Sequence, residues 1–227
     1  MKYIYDNEGN LITSVFDGTK EEIKKQYENC EFIEDRFLGK QAIINDGKIR
    51  EITRLDRIKA DEEELQDGEY IKDNKIMIIN KPNDYYCWDS TQSKWIFDEN
   101  IKIYELKRKI TVEKEKIIEN GFEVKINGKK LVQKCREKDK TNILGTIQLM
   151  GSTKQETIDW KFIDENNNDV MERVTKEQLN NMLVQGAILT SKAIHVEQQL
   201  FIKIAALNEI ELLNFDVENE FKSLMGG

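Results

Sequence analysis

Thr175 stands three residues before Gln178, and from Leu179 an apolar stripe runs through Met182, Leu183, Ala187, Ile188, Ala193, Ile194, Leu200 and Ile204 to Leu207. Thr-x-x-Gln is a capping-box spacing, and apolar residues recurring every three to four positions mark one helix face. Together they predict one helix of about eight turns, ending near Ala206. Gly186 is a soft spot inside it, at a cost of ~1 kcal/mol relative to Ala.

The first 98 residues follow a shorter period. Tyr3–Tyr5 and Leu11–Phe16 flank the turn cluster Asp6-Asn7-Glu8-Gly9-Asn10. Ala42–Ile44 and Ile49–Ile52 flank Asn45-Asp46-Gly47, where Asp-Gly favours a tight turn. Glu69–Ile71 and Lys75–Ile79 flank Lys72-Asp73-Asn74, and Pro82, the only proline, ends that pair. Tyr85–Trp88 and Lys94–Phe97 flank Asp89–Ser93 in an aromatic-rich fourth hairpin. Thr19 with Glu22 predicts a capped helix over 20–29, followed by a strand over 31–34. The charged run 55–65 reads as a short helix or a loop.

Residues 99–120 change character. Ile103, Leu106, Ile110 and Ile117 share one helical face, and Gly121 closes the helix. Packing within the chain is the plainer role for that stripe, with a short trimeric coiled coil left open. Phe122–Ile126, Asn127-Gly128 and Leu131-Val132 carry the strongest hairpin signal. A helix is expected over 141–149, and a second hairpin from Asp159–Ile163 and Asp169–Val174. The expected fold class is α+β. It comprises a β-rich region of short antiparallel hairpins (1–98), a linking helix (99–120) and a C-terminal hairpin-and-helix domain (121–227).

Of the 227 residues, 39% are hydrophobic and 34% charged, with a formal net charge of −8. An acidic surface disfavours general binding to nucleic acid or anionic membrane. Lys107, Arg108, Lys109, Lys114 and Lys116 cluster, but Glu105, Glu113 and Glu115 interleave with them, which reads as a solvated helix face. Cys30, Cys87 and Cys135 have no metal-site spacing and read as reduced thiols. No apolar run reaches the ~20 residues of a membrane span, and the N-terminus lacks a signal-peptide core. Synthesis as a soluble chain in a cytoplasm is expected.

Catalytic signals are weak. His195, the only histidine, sits alone on the long helix, and no Gly-x-Ser-x-Gly elbow, phosphate loop or dinucleotide fingerprint occurs. Asp164-Glu-Asn-Asn-Asn-Asp169 opens like a calcium loop, but its sixth position lacks glycine and its twelfth is Thr175, so a polar hairpin turn is expected. No metal or cofactor is expected. Tyr85, Tyr86, Trp88, Trp95 and Trp160 are the candidate binding residues. On the hairpin, the aromatics form either a small core between two strands or a face that anchors a partner or stacks on sugar rings, with Asp89 and Gln92 beside it.

The order of elements carries a resemblance. Arg108, Gly121-Phe122, Trp160, Asn166–Asp169, Val174-Thr175 and His195 fall in a run, Glu105–Leu207, that resembles a DUF4376-like domain of bacteriophage tail-fibre and tail-fibre-assembly proteins. The upstream run from Arg50 to Pro82, with Trp88 and Trp95, looks like prophage tail-associated proteins of Gram-positive bacteria. The resemblance implies a non-enzymatic protein of a phage tail or tail-like bacteriocin, present in the host cytoplasm and, in one reading, in the particle. It would act at the fibre or baseplate as a structural subunit or assembly chaperone. Its expected partners are fibre or baseplate proteins, with self-association as a trimer left open. The alternative is a carbohydrate-binding module that recognises a bacterial cell surface.

Overall fold

The computed structural model describes residues 1–226, in an α+β fold of two compact units, Met1–Ile96 and Phe97–Gly227. In the first, β1 (Lys2–Tyr5) is the centre of an antiparallel sheet, between β2 (Leu11–Val15) and β3 (Phe32–Glu34). Helix α1 (Lys20–Gln26) starts at the expected capping box of Thr19 and Glu22. The other three pairs are separate two-stranded hairpins: β4–β5 (Ala42–Asn45, Lys48–Glu51), β6–β7 (Glu69–Lys72, Lys75–Ile78) and β8–β9 (Tyr86–Asp89, Lys94–Phe97).

The turns explain the hairpins. Asp46-Gly47, Asp73-Asn74 and Asn127-Gly128 all have positive φ at both central residues. That twist matches the right-handed twist of the flanking strands. Between β5 and β6 lies α2 (Arg54–Lys59), capped by Thr53, whose side chain accepts from the Asp56 amide.

The first unit has two small cores. Ile4, Ile23, Cys30 and Ile33 form one, and Tyr5, Leu38 and Ala42 the other. Tyr5 is fully buried, so its hydroxyl needs partners. It donates to the Gly39 carbonyl at 3.1 Å and accepts from the Leu38 amide at 2.8 Å.

In the second unit, α3 (Glu99–Asn120) leads to β10 (Phe122–Ile126), β11 (Lys129–Gln133), α4 (Glu137–Thr153), β12 (Thr157–Ile163), β13 (Asp169–Thr175) and α5 (Lys176–Ile204). The strands form one antiparallel sheet in the order β10-β11-β12-β13. The helix expected to link the two halves belongs to this unit, since Leu106 and Ile110 are buried against α5 residues. Gly121 ends α3 at φ 78°, and a Cβ there would lie 2.0 Å from the Gln133 carbonyl oxygen. Only glycine meets both demands.

Helix α5 crosses two hydrophobic clusters. Its first turns place Leu179 and Met182 with Ile126, Leu131, Phe162 and Val174 of the sheet and Ile143 and Met150 of α4. Its second half places Ala193, Val196, Leu200 and Ile204 with Leu106 and Ile110 of α3. Two short helices complete that cluster: α6 (Glu209–Leu213) through Leu212, and α7 (Val217–Met225) through Val217 and Phe221. Both lie beyond the last element expected from the sequence. The soft spot Gly186 is buried, and a Cβ there would meet the Cys135 side chain at 3.3 Å and the Phe122 ring at 3.5 Å. The helix gives up propensity there so that the strand and the Cys135 segment approach closely.

Candidate functional site

The aromatic hairpin β8–β9 brings Trp88 and Trp95 together. Alternate residues of a strand share a face, and in this pair the two indoles meet edge to face, with centroids 5.3 Å apart and planes at 61°. The Trp95 Nε1–H donates to the Ile79 carbonyl at 2.8 Å, which holds the ring against the end of the neighbouring hairpin. Lys81 places its ammonium 5.6 Å from the Trp95 ring centre, within cation–π range. Both tryptophans, Tyr85 and Tyr86 are half-buried. The pair is therefore both a small packed unit and an accessible surface.

The Asp89 carboxylate is engaged within its own turn. It accepts from the Thr91 amide at 2.9 Å, the Gln92 amide at 3.0 Å and the Gln92 side chain at 2.9 Å, and so builds the β8–β9 turn. Asp164 does the same in the β12–β13 turn, accepting from the Asn166 and Asn168 amides at 2.9 and 2.7 Å. Those amides hold its carboxyl below the ordinary value of 3.8, with Asn168 the chief cause.

Trp160 belongs to the second unit and has its own surroundings. It packs against the sheet-side cluster, and its Nε1–H donates to Oε1 of Gln133 at 2.8 Å. Gln133 is buried and passes the bond on, donating Nε2–H to the Lys134 carbonyl at 2.7 Å. Trp160 thus packs against the core with a satisfied polar tip, half-buried along a groove that also exposes Leu149 and Met171.

The basic cluster on α3 is only partly the solvated face expected of it. Lys109 and Lys116 pair with Glu105 and Glu113 along the helix, as surface charges do. Lys114 turns inward. Its Nζ lies 3.0 Å from Glu197 of α5, a buried carboxylate that also accepts from the Thr111 hydroxyl at 2.8 Å. This polar clasp sits beside the apolar contact between α3 and α5.

A concavity of about 760 Å³ runs between α3 and the α6–α7 corner. Arg108, Lys109 and Val112 form one wall, and Leu213, Phe215 and Val217 the other. The sequence reading missed it because α6 and α7 were not assigned. Signals for both were present: Asn208 and Glu211 form a capping box, and Asp216 caps α7 before Val217 and Phe221 at helical spacing.

His195 is exposed on α5. Among the described residues, no group of three or more His, Cys, Asp or Glu side chains is placed to hold a metal, and no helix is long and apolar enough to cross a membrane. Cys30 and Cys135 are buried, and burial pushes both thiols up; Cys87 is exposed.

No curated protein and no solved structure matches this chain. A family model for a domain of unknown function, DUF4376, matches residues 104–219, from the second turn of α3 to the start of α7. That match covers just over half of the sequence and takes in the sheet, α4, α5 and α6, so the chain belongs to the DUF4376 family.

Proposed function

We propose that the protein works by binding other proteins, as a non-enzymatic component of a phage tail or tail-like particle. It acts at the tail fibre or baseplate, as a fibre-associated subunit or as an assembly chaperone. The setting comes from the resemblance of Glu105–Leu207 to fibre-associated domains. The observation that carries the binding role is the Trp88–Trp95 pair, two half-exposed indoles fixed on a short hairpin. Large aromatic side chains dominate binding energy when they enter a partner's pocket, and fixed rings lose less entropy on binding. The bond from Trp95 to Ile79 supplies that rigidity.

A glycan-binding face is the other reading, and the geometry fits it less well. Rings at 61° offer one face and one edge, not a pair of coplanar platforms for sugars. The polar groups beside them, Asp89 and Gln92, are already bonded to each other.

Mass spectrometry of purified particles, with a lysate control, separates the two roles. Stoichiometric presence in the particle marks a structural subunit. Presence in the lysate alone marks an assembly factor. In a pull-down of the fibre, Trp88→Ala should weaken capture about tenfold or more, in line with a hot-spot loss of roughly 2 kcal/mol. Unchanged capture would remove this pair as the anchor. A saturable fluorescence shift with cell-wall polysaccharide, lost in Trp95→Ala, would favour the glycan reading.

A further inference from the structure

The sheet of the second unit has two outer strands, β10 and β13. At β13 the Arg173 carbonyl accepts from the Asn127 side chain at 3.3 Å. At β10, among the described residues, no strand lies on the outer side. The phase of the hairpin fixes what that side presents. Asn127-Gly128 is a two-residue turn with positive φ at both positions, and Ile126 pairs with Lys129 across it. In such a hairpin the flanking residues exchange backbone hydrogen bonds, and the pattern repeats at every second residue. Phe122, Val124 and Ile126 therefore bond to β11, while Glu123 and Lys125 turn their N–H and C=O groups outward. A groove of about 250 Å³ runs along this edge, between Glu123–Ile126 and the Gln178, Asn181 and Gln185 side of α5.

Outward N–H and C=O groups at strand spacing match another strand. The sequence of β10, Phe122-Glu123-Val124-Lys125-Ile126, selects which one. Its charges are complementary about Val124. An antiparallel copy centred there sets Glu123 of each copy opposite Lys125 of the other. The same register joins the outward backbone groups, because Glu123 and Lys125 are the residues that present them. The neighbouring registers that also join those groups set Glu123 on Glu123 or Lys125 on Lys125, and like charges directly opposite are destabilising. One register thus satisfies hydrogen bonding and charge together. It also settles a conflict within the monomer. Lys125 lies directly opposite Lys130 in the sheet, and Glu123 meets Lys130 only at 3.9 Å, with both side chains exposed. A second copy brings a Glu123 to the open side of Lys125. The α5 side chains Gln178, Asn181 and Gln185 are uncharged amides, so that wall of the groove adds no charge repulsion between copies of a chain whose net charge is −8.

We propose that two copies of the chain pair β10 to β10, antiparallel, with a two-fold axis at Val124. The four-stranded sheets of the two copies then join into one. A contact that uses the same patch on both sides closes at two copies, so its product is a dimer and not a trimer. The edge is only five residues long and mostly polar, so the dimer is reversible. The contact lies within the second unit and does not depend on the Trp88–Trp95 anchor.

The test uses the full chain in a Cys87→Ser background, which leaves only the two buried native thiols. Sedimentation across the micromolar range should show a monomer–dimer equilibrium. Glu123→Lys and Lys125→Glu, each alone, set like charges opposite one another in this register and should weaken the dimer about tenfold or more. Circular dichroism should not change, because both side chains are exposed. The double variant regains the symmetry and should regain the dimer, and an equal mixture of the two single variants should pair with each other. Val124→Cys should form a disulfide between copies under mild oxidation, since residues at the axis face each other at a spacing of ~4.5 Å. A monomer at every concentration, or a trimer, overturns the proposal. So does a dimer that neither single variant weakens, or one that the double variant fails to restore.

Discussion

Tyr5 and Phe221 are both fully buried aromatics, but they sit in different kinds of core. Around Tyr5 are only Leu38, Ala42 and a few half-buried neighbours, and its hydroxyl is tied to backbone groups at Leu38 and Gly39. Around Phe221 lies a continuous cluster drawn from α3, α5, α6 and α7. The first unit also holds a network of ion pairs centred on Arg54. Arg54 forks across both carboxylate oxygens of Glu69 at 2.7 Å and also bonds Glu63, which in turn accepts from Arg57 at 2.9 Å. Arg50 holds Asp56 in a second two-point pair. Short hairpins bury too little apolar surface to order themselves alone, whereas a long helix shared by two clusters buries a stripe at every turn. The first unit should therefore answer more to pH, and the second more to side-chain volume.

The largest effect should come from Phe221→Ala. Emptying that site removes buried area and leaves a cavity, which costs about 3–5 kcal/mol. Denaturant unfolding should show the transition of the second unit moving while that of the first stays in place. If both move together, the two units unfold as one and the contrast fails.

Glu197→Ala comes next. It strands the Lys114 ammonium and the Thr111 hydroxyl beside an apolar contact, for a loss of about 2–3 kcal/mol. The same transition would report it. A change within error would mean that Lys114 reaches water without strain.

Arg54→Met should have the smallest effect at neutral pH and the clearest signature in acid. Bonds from Arg54, and then from the Gln66 amide, hold Glu69 below its ordinary value of 4.5, and Arg54 with Arg57 does the same for Glu63. A carboxylate with a lowered native pKa stabilises the fold above its unfolded value and loses that contribution as pH falls through the native one. The first unit should therefore weaken as pH drops below about 4.5, and more steeply than the second. In Arg54→Met that slope should flatten, because Glu69, itself buried, loses the partner that holds its carboxylate ionised. An unchanged acid profile would show that these pairs are ornamental.

Much of this fold was legible in local chemistry. Capping boxes at Thr19 and Thr175, the paired left-handed turn residues and Gly121 each act within a few residues, so spacing alone exposes them. The ends of helices were harder to read. The first turn of α4, Glu137 to Lys140, is wholly charged and carries no apolar mark, and α6 and α7 announce themselves only through the caps at Asn208 and Asp216 and a few apolar positions. The candidate site divides in the same way. The Trp88–Trp95 hairpin is visible as a turn flanked by aromatics, but the ring geometry and the bond to Ile79 depend on how two hairpins meet.

The sequence alone determined where α5 starts and that it is long, because a cap and a period are local properties. Which of its faces is covered was a tertiary matter. Val184 and Ile188 look no different in sequence from Leu179 and Met182, yet only the latter two meet the sheet and α4. Lys114 looked like its solvated neighbours until α5 placed Glu197 opposite it. Burial is decided by what lies across the contact, and partners such as Glu197, 83 residues beyond Lys114, leave no trace in spacing along the chain.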